Sequence, residues 1–218
     1  MKKKYNCVIW DFNGTILDDL ETGIKSANLL LSKRKMKTVS GQEEYRELFG
    51  FPIIDYYRRL GYTFEDESFD VIAAEWVEAY LRYEKNAGLC CGALEGIKRL
   101  KERGVKQALI SATEINMLNC QLEQRGLAGY FDDIRGLDNI HASGKSSLIA
   151  RYLCENCGYN AVMIGDTDHD YESAHMANTD CILVESGHQN AKKLASTGAP
   201  VFENAGKAVE YLIKNNLV

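Results

Sequence analysis

The chain has 218 residues, 45% hydrophobic and 26% charged, with only two prolines; such a composition supports a sizeable buried core and excludes extensive disorder. A net charge of −5 excludes a broad nucleic-acid footprint, so an anionic ligand has to be met by local lysines, backbone N–H groups or a metal. No stretch approaches the roughly 20 apolar residues of a membrane span, and Val8-Ile9-Trp10 is too short for a signal-peptide core, which predicts a cytoplasmic protein without membrane contact.

The first predicted element is a strand from Cys7 to Trp10, which delivers Asp11 at its end, ahead of Phe12, Asn13, Gly14 and Thr15. A carboxylate in a glycine turn after a strand is rigidly held yet open to a ligand, so Asp11 is a candidate nucleophile. From Leu20 to Asn86 the pattern is helical, with no convincing strand. One helix covers Leu20 to Arg34; a second follows the capping-box spacing of Ser40 and Glu43; a third has Pro52 in its first turn; a fourth, after Ser68, shares one face among Ile72, Trp76 and Tyr80. Asn86-Ala87-Gly88 reads as the hinge that ends this section.

Beyond the hinge, helical faces at Leu94, Ile97 and Leu100, at Ile115, Leu118 and Leu122, and at Leu148, Tyr152 and Leu153 alternate with strands. The strands run from Ala108 to Ser111, Ala161 to Ile164 and Cys181 to Val184, with a weaker one from Pro200 to Phe202. This alternation predicts an α/β fold, a doubly wound, mostly parallel sheet whose ligands bind beyond the strands' carboxyl ends, where Asp11, Ser111 and Asp166 fall. The predicted division is a core of 1–19 and 87–218 and an inserted all-helical unit of 20–86. Seven cysteines, an odd set, point to reduced thiols, and Cys154-Glu155-Asn156-Cys157, lacking a second pair at zinc spacing, reads as semi-buried helix cysteines.

Three further segments carry chemistry. Ser111 ends its strand as a hydroxyl that, alone, reads as a helix N-cap. Lys145 stands before a helix in Gly144-Lys145-Ser146, where a P-loop is excluded because Asn139 occupies the upstream glycine position. Gly165-Asp166-Thr167-Asp168-His169-Asp170 offers carboxylates suited to a hard cation but lacks the Gly and distant Glu of an EF-hand; Asp168 reads as helix N-terminal charge.

In this order the four segments resemble the motifs of the haloacid dehalogenase-like hydrolases, and the helical section resembles the C1 cap of their phosphoglycolate phosphatase and β-phosphoglucomutase branch. The resemblance implies a Mg²⁺-dependent phosphatase for a small phosphorylated metabolite. It makes Asp11 the nucleophile that forms an aspartyl-phosphate, places Ser111, the Ala112 N–H and Lys145 on the phosphoryl group, and assigns Asp11, the Asn13 carbonyl, Asp166 and Asp170 to the metal. Arg58 and Arg59 are the expected substrate contacts from the helical section.

Asn13 departs from the resemblance, because the family usually carries an acid there that protonates the leaving group, help worth typically 10²–10⁴-fold. An amide does not transfer that proton. The protein is then a phosphatase for good leaving groups such as aryl or acyl phosphates, or one in which His169, Glu114 or a cap residue substitutes. Alternatively it is a phosphometabolite sensor or scaffold without turnover, or a C–P hydrolase like phosphonoacetaldehyde hydrolase, which needs a cap lysine from Lys25, Lys33, Lys35 or Lys37.

Overall fold

The computed structural model describes residues 5–138 and 144–218. The chain enters on β1 (Cys7–Trp10) and leaves through a short strand, β2 (Leu17–Asp18), which pairs antiparallel with β3 (Gly88–Leu89). Between these two strands lie four α-helices, α1 (Leu20–Lys33), α2 (Gln42–Leu48), α3 (Ile53–Arg59) and α4 (Phe69–Tyr83), and a 3-10 turn at Glu84–Asn86. Thereafter helices and strands alternate through α5 (Ala93–Glu102), β4 (Lys106–Glu114), α6 (Ile115–Gln124), β5 (Asp133–Leu137), α7 (Lys145–Glu155) and β6 (Ala161–Gly165). The chain closes with α8 (Asp168–Met176), β7 (Asp180–Val184), α9 (Ala191–Ala195), β8 (Val201–Phe202) and α10 (Ala205–Lys214).

The main sheet is parallel throughout, in the order β5-β4-β1-β6-β7-β8. Successive side chains of β1 face opposite layers, Val8 and Trp10 joining the cluster with α5, α6 and α10, and Cys7 and Ile9 the cluster with α7, α8 and α9. Both faces are covered, so the strand reads as an unbroken apolar run. The chain winds outward from β1 to β4 and β5, then returns to β6 on β1's other side. That reversal opens a crevice beyond the carboxyl ends of β1, β4 and β6, the usual ligand position in such sheets. The four-helix section is an insert with a core of its own, built on Leu31, Tyr45, Tyr56, Ile72 and Ala79.

Some local expectations change. Strand β5 is an addition, and β4 runs past Ser111 to Glu114 through an irregular register after Ile110. The capping box at Ser40 and Glu43 does not form: α2 begins after Gly41, so Glu44 occupies its third position and accepts from the Ser40 N–H at 2.6 Å. Pro52 stands at the N-cap of α3, just outside its first turn. Cys154 and Cys157 are exposed free thiols, not semi-buried ones. Among the described residues no helix is long and apolar enough to cross a membrane.

Candidate active site

Parallel pairing sets the site. Trp10 is in register with Leu109 on one side and Ile164 on the other, so Asp11, Ser111 and Asp166 emerge together. Lys145, the first residue of α7, is 2% exposed. Its ammonium donates to Oδ1 of Asp11 and, at 2.5 Å, to Oδ1 of Asp170. The other Asp170 oxygen accepts the Asp166 and Thr167 N–H groups at 3.1 and 3.0 Å and the Thr167 hydroxyl at 2.7 Å, a capping box that fixes the carboxylate while starting α8. Asp166 accepts from the Thr15 hydroxyl at 3.1 Å and the His188 N–H at 2.8 Å.

Two glycines make that approach feasible. Gly14 has φ +74°, and a Cβ there or at Gly187 would collide with the Asp166 carboxylate.

One oxygen each from Asp11, Asp166 and Asp170 lies within 4.8 Å of the others, all three buried. Burial lifts the Asp11 carboxyl well above its usual range, Lys145 opposing the shift while Asp170 and Asp166 add to it. Burial also lifts Asp166, to about 6. Asp170 is held below the usual range, because Lys145 and Thr167 outweigh its burial, and the Lys145 charge is stabilised by Asp11 and Asp170 despite burial. Three hard oxygen donors facing one ammonium form an electron-rich pocket of the kind that takes a hard divalent cation.

Asn13 is pinned rather than free. Its amide N–H₂ donates to Oδ2 of Asp19 at 2.8 Å and to the Tyr80 hydroxyl at 2.7 Å, and its oxygen accepts from the Thr113 hydroxyl at 2.8 Å. Tyr80 in turn donates to Asp19 at 2.6 Å. Oδ1 of Asp19 accepts the Gly14 N–H at 2.8 Å and lies 3.1 Å from Nε2 of His188, whose Nδ1 is 3.2 Å from the Tyr45 hydroxyl. Burial alone would discharge both partners of this pair, but each carries the other: Asp19 is held below the usual carboxylate range, and His188 is raised to about 9. Asp19 and His188 escape a motif-by-motif reading because 169 residues separate them.

The site opens into a cavity of about 330 Å³ shared between the sheet and the helical insert. The insert is seated on α9 and the loop before it: Arg46 donates to the Gly187 and Ser186 carbonyls at 2.8 and 3.2 Å, and Lys193 of α9 donates to the Phe49 carbonyl at 3.2 Å. Phe51 stacks on His169, ring centres 4.3 Å apart.

Ser111 and Ala112 line the cavity, the Ser111 hydroxyl donating to that of Thr113 at 3.0 Å. Asp168 stays outside the carboxylate cluster, bound by Gln189 at 2.7 Å and Lys193 at 3.2 Å. Arg58 and Arg59 correct an expectation: Arg58 is exposed and paired with Asp55 at 2.7 Å, Arg59 is spent on the Leu48 carbonyl at 2.6 Å, and neither lines the cavity. Glu114 reaches the rim, but as the N-cap of α6 it accepts the Asn116 and Met117 N–H groups, which hold it below the usual carboxylate range. His169 lines the cavity with its pKa lowered, chiefly by burial.

Residues 8–184 match the family model described as haloacid dehalogenase-like hydrolase. The chain is 25% identical over 183 residues to the pyrophosphatase PpaX of Listeria monocytogenes, covering 82% of each protein. It is 30% identical over 125 residues to the phosphoglycolate phosphatase of Psychrobacter arcticus, covering 55% of this chain and 54% of that one. The crystal structure of a predicted phosphatase from Clostridium acetobutylicum superposes with a TM-score of 0.80 at 24% identity, over 97% of this chain and 100% of that one. Fold, strand-end carboxylates and family match agree, and the chain belongs to the haloacid dehalogenase-like hydrolases.

Proposed function

We propose that the protein is a Mg²⁺-dependent phosphatase that hydrolyses a small phosphomonoester through an aspartyl-phosphate on Asp11, with Asn13 in place of the usual general acid. The observation that carries this reading is the buried set in which Lys145 joins Asp11 to Asp170 beside Asp166. The phosphatase names of the PpaX and phosphoglycolate phosphatase relatives support it.

A free Asp11 oxygen attacks phosphorus while Lys145 orients its Oδ1 and offsets the charge of the incoming dianion. The Ser111 hydroxyl and the Ala112 N–H, at the β4 end, hold phosphoryl oxygens. Asp11, the Asn13 carbonyl, Asp166 and Asp170 would hold Mg²⁺, which supplies positive charge where the phosphoryl charge develops. The insert, 20–86, acts as the cap that excludes water from the cavity. A C–P hydrolase finds no support, since Lys145 is the one lysine among the described cavity-lining residues; Lys33 pairs with Glu75 and Lys37 with Glu44, and Lys25 and Lys35 are exposed.

The test is phosphate release from p-nitrophenyl phosphate with Mg²⁺, beside Asp11→Asn. Release by the wild type and its loss in the variant is the expected pair. Equal release by both overturns the assignment of Asp11, and release by neither favours a binding protein without turnover.

A further inference from the structure

The cavity wall beyond the carboxylates is aromatic and aliphatic. Tyr45, Phe49, Tyr56, Trp76 and Tyr80 come from the insert and Met117 from α6. Trp76 stacks on Tyr80 with ring centres 5.0 Å apart, and Phe49 packs against Tyr45 and Tyr56 at 5.5 and 5.2 Å. Such surfaces favour flat rings, which gain from offset or edge contacts beyond simple burial. Tyr45 is committed to His188, Tyr80 to Asp19, and Asn13 to Asp19, Tyr80 and Thr113, while the Tyr56 hydroxyl and the Trp76 indole N–H are buried without a partner. The strong cations of the cavity are committed too, Lys145 to Asp11 and Asp170, and His188 to Asp19. A second carboxylate on the substrate meets no spare lysine or arginine among the described lining residues, and the two unpartnered donors, on Tyr56 and Trp76, belong to aromatic rings.

The chemistry of Asn13 points the same way. Phenols ionise near ~10, like a tyrosine side chain, whereas water, and with it a simple alcohol, ionises near ~15.7. A phenolate can therefore depart without the proton that an amide fails to give.

We propose that the cavity selects aryl phosphomonoesters, phosphate esters of a phenolic hydroxyl, with the ring held against the aromatic wall of the insert. The proposal rests on Asp11 acting as the nucleophile of a phosphatase. In the first step the Asp11–phosphorus bond forms and the phosphorus–oxygen bond to the ring breaks, its electron pair leaving on the phenolate. In the second, water attacks the aspartyl-phosphate, restoring the Asp11 carboxylate and releasing hydrogen phosphate and one proton, which neutralises the phenolate. No other reactant is required. Without a base at position 13 the second step is the slower one, so phenol release shows a burst close to one equivalent of enzyme.

Phenyl and cyclohexyl phosphate, alike in size, separate the leaving group from the fit, with kcat/KM reading the first chemical step. The expected ratio favours phenyl phosphate by ~10²-fold or more, with 2-phosphoglycolate and glucose 6-phosphate poorer still. Binding is measured separately by calorimetry with phenylphosphonate and phosphonoacetate, whose C–P bonds this chemistry does not cleave. Phenylphosphonate binds at least tenfold more tightly, and Trp76→Leu narrows that gap. Equal or better turnover of 2-phosphoglycolate or glucose 6-phosphate overturns the aryl proposal while leaving the phosphatase reading intact. Tighter binding of phosphonoacetate overturns it without reference to activity. Should no ester release phosphate, the phosphatase reading falls, and the order of the two phosphonates still decides what the cavity holds.

Discussion

Replacing Asn13 by Asp tests the network around it more sharply than removing the side chain. The Asn13 amide nitrogen lies 2.8 Å from Oδ2 of Asp19, so Asn13→Asp sets a second carboxylate against one that His188 keeps ionised. At an effective dielectric of ~20, two full charges at that distance repel by about 6 kcal/mol. Keeping one proton between them is the cheaper outcome, as in other carboxylate pairs, and raises the pKa of the new acid in the folded state. Each unit of that rise costs about 1.36 kcal/mol, counted from about 3.9 in the unfolded chain. A group raised on folding retains its full stability below the unfolded pKa and loses it as pH rises toward the folded one. The variant therefore loses about 1.5 kcal/mol relative to wild type at pH 5 and about 4 kcal/mol at pH 7, the latter a fall in Tm of roughly 8–16 °C. Thermal unfolding of metal-free protein at the two pH values measures the gap. A gap that is the same at both pH values would refute the argument. On the proposed mechanism the retained proton also serves departing alkoxides, so cyclohexyl phosphate gains far more than phenyl phosphate.

Three further outcomes follow from the same geometry. Lys145→Met leaves Asp11 and Asp170 without their shared cation; the expected loss is about 3–5 kcal/mol in metal-free unfolding, with phosphate release reduced to background, and a stable, active variant would contradict the placement of Lys145. Mg²⁺ at a hundred times its Kd should add about 2.7 kcal/mol, read as a higher Tm, and Asp166→Asn should abolish the shift if these carboxylates hold the ion. Because the His188 pKa is raised to about 9 by Asp19, its stabilisation is complete below about 6.5 and fades as pH rises through 9. His188→Gln should flatten that part of the metal-free stability profile, and an unchanged slope would show that the imidazole does not carry the charge.

Much of the frame was legible because the signals are local. The run Cys7 to Trp10 is apolar on both faces and ends on Asp11, and the alternation after Leu94 is regular. Strand β5 was not, since Asp133–Leu137 carries an arginine and a glycine and only Gly136 is buried at this sheet edge. Within the site, Asp166 and Asp170 share one helix start and could be read together. The Asp19–His188 pair could not, because it exists only once the loop before α9 returns across the end of β1. Arg58 and Arg59 failed for a different reason: charge and neighbouring tyrosines say nothing of direction, and the buried tyrosines turn the arginines outward.

The antiparallel ribbon of β2 and β3 is the covalent doorway between insert and sheet, and Asp19 follows it at once on the outgoing strand. Tyr80 lies on α4 near the incoming one, and Glu84, just beyond α4, is moored to Arg125 of the core at 2.9 Å. Of the three partners of the Asn13 side chain, Tyr80 comes from the insert, whereas Asp19 and Thr113 stand on the sheet side of the ribbon. The Asn13 amide thus makes a polar bridge between insert and sheet, and that bridge runs directly beside the carboxylate cluster.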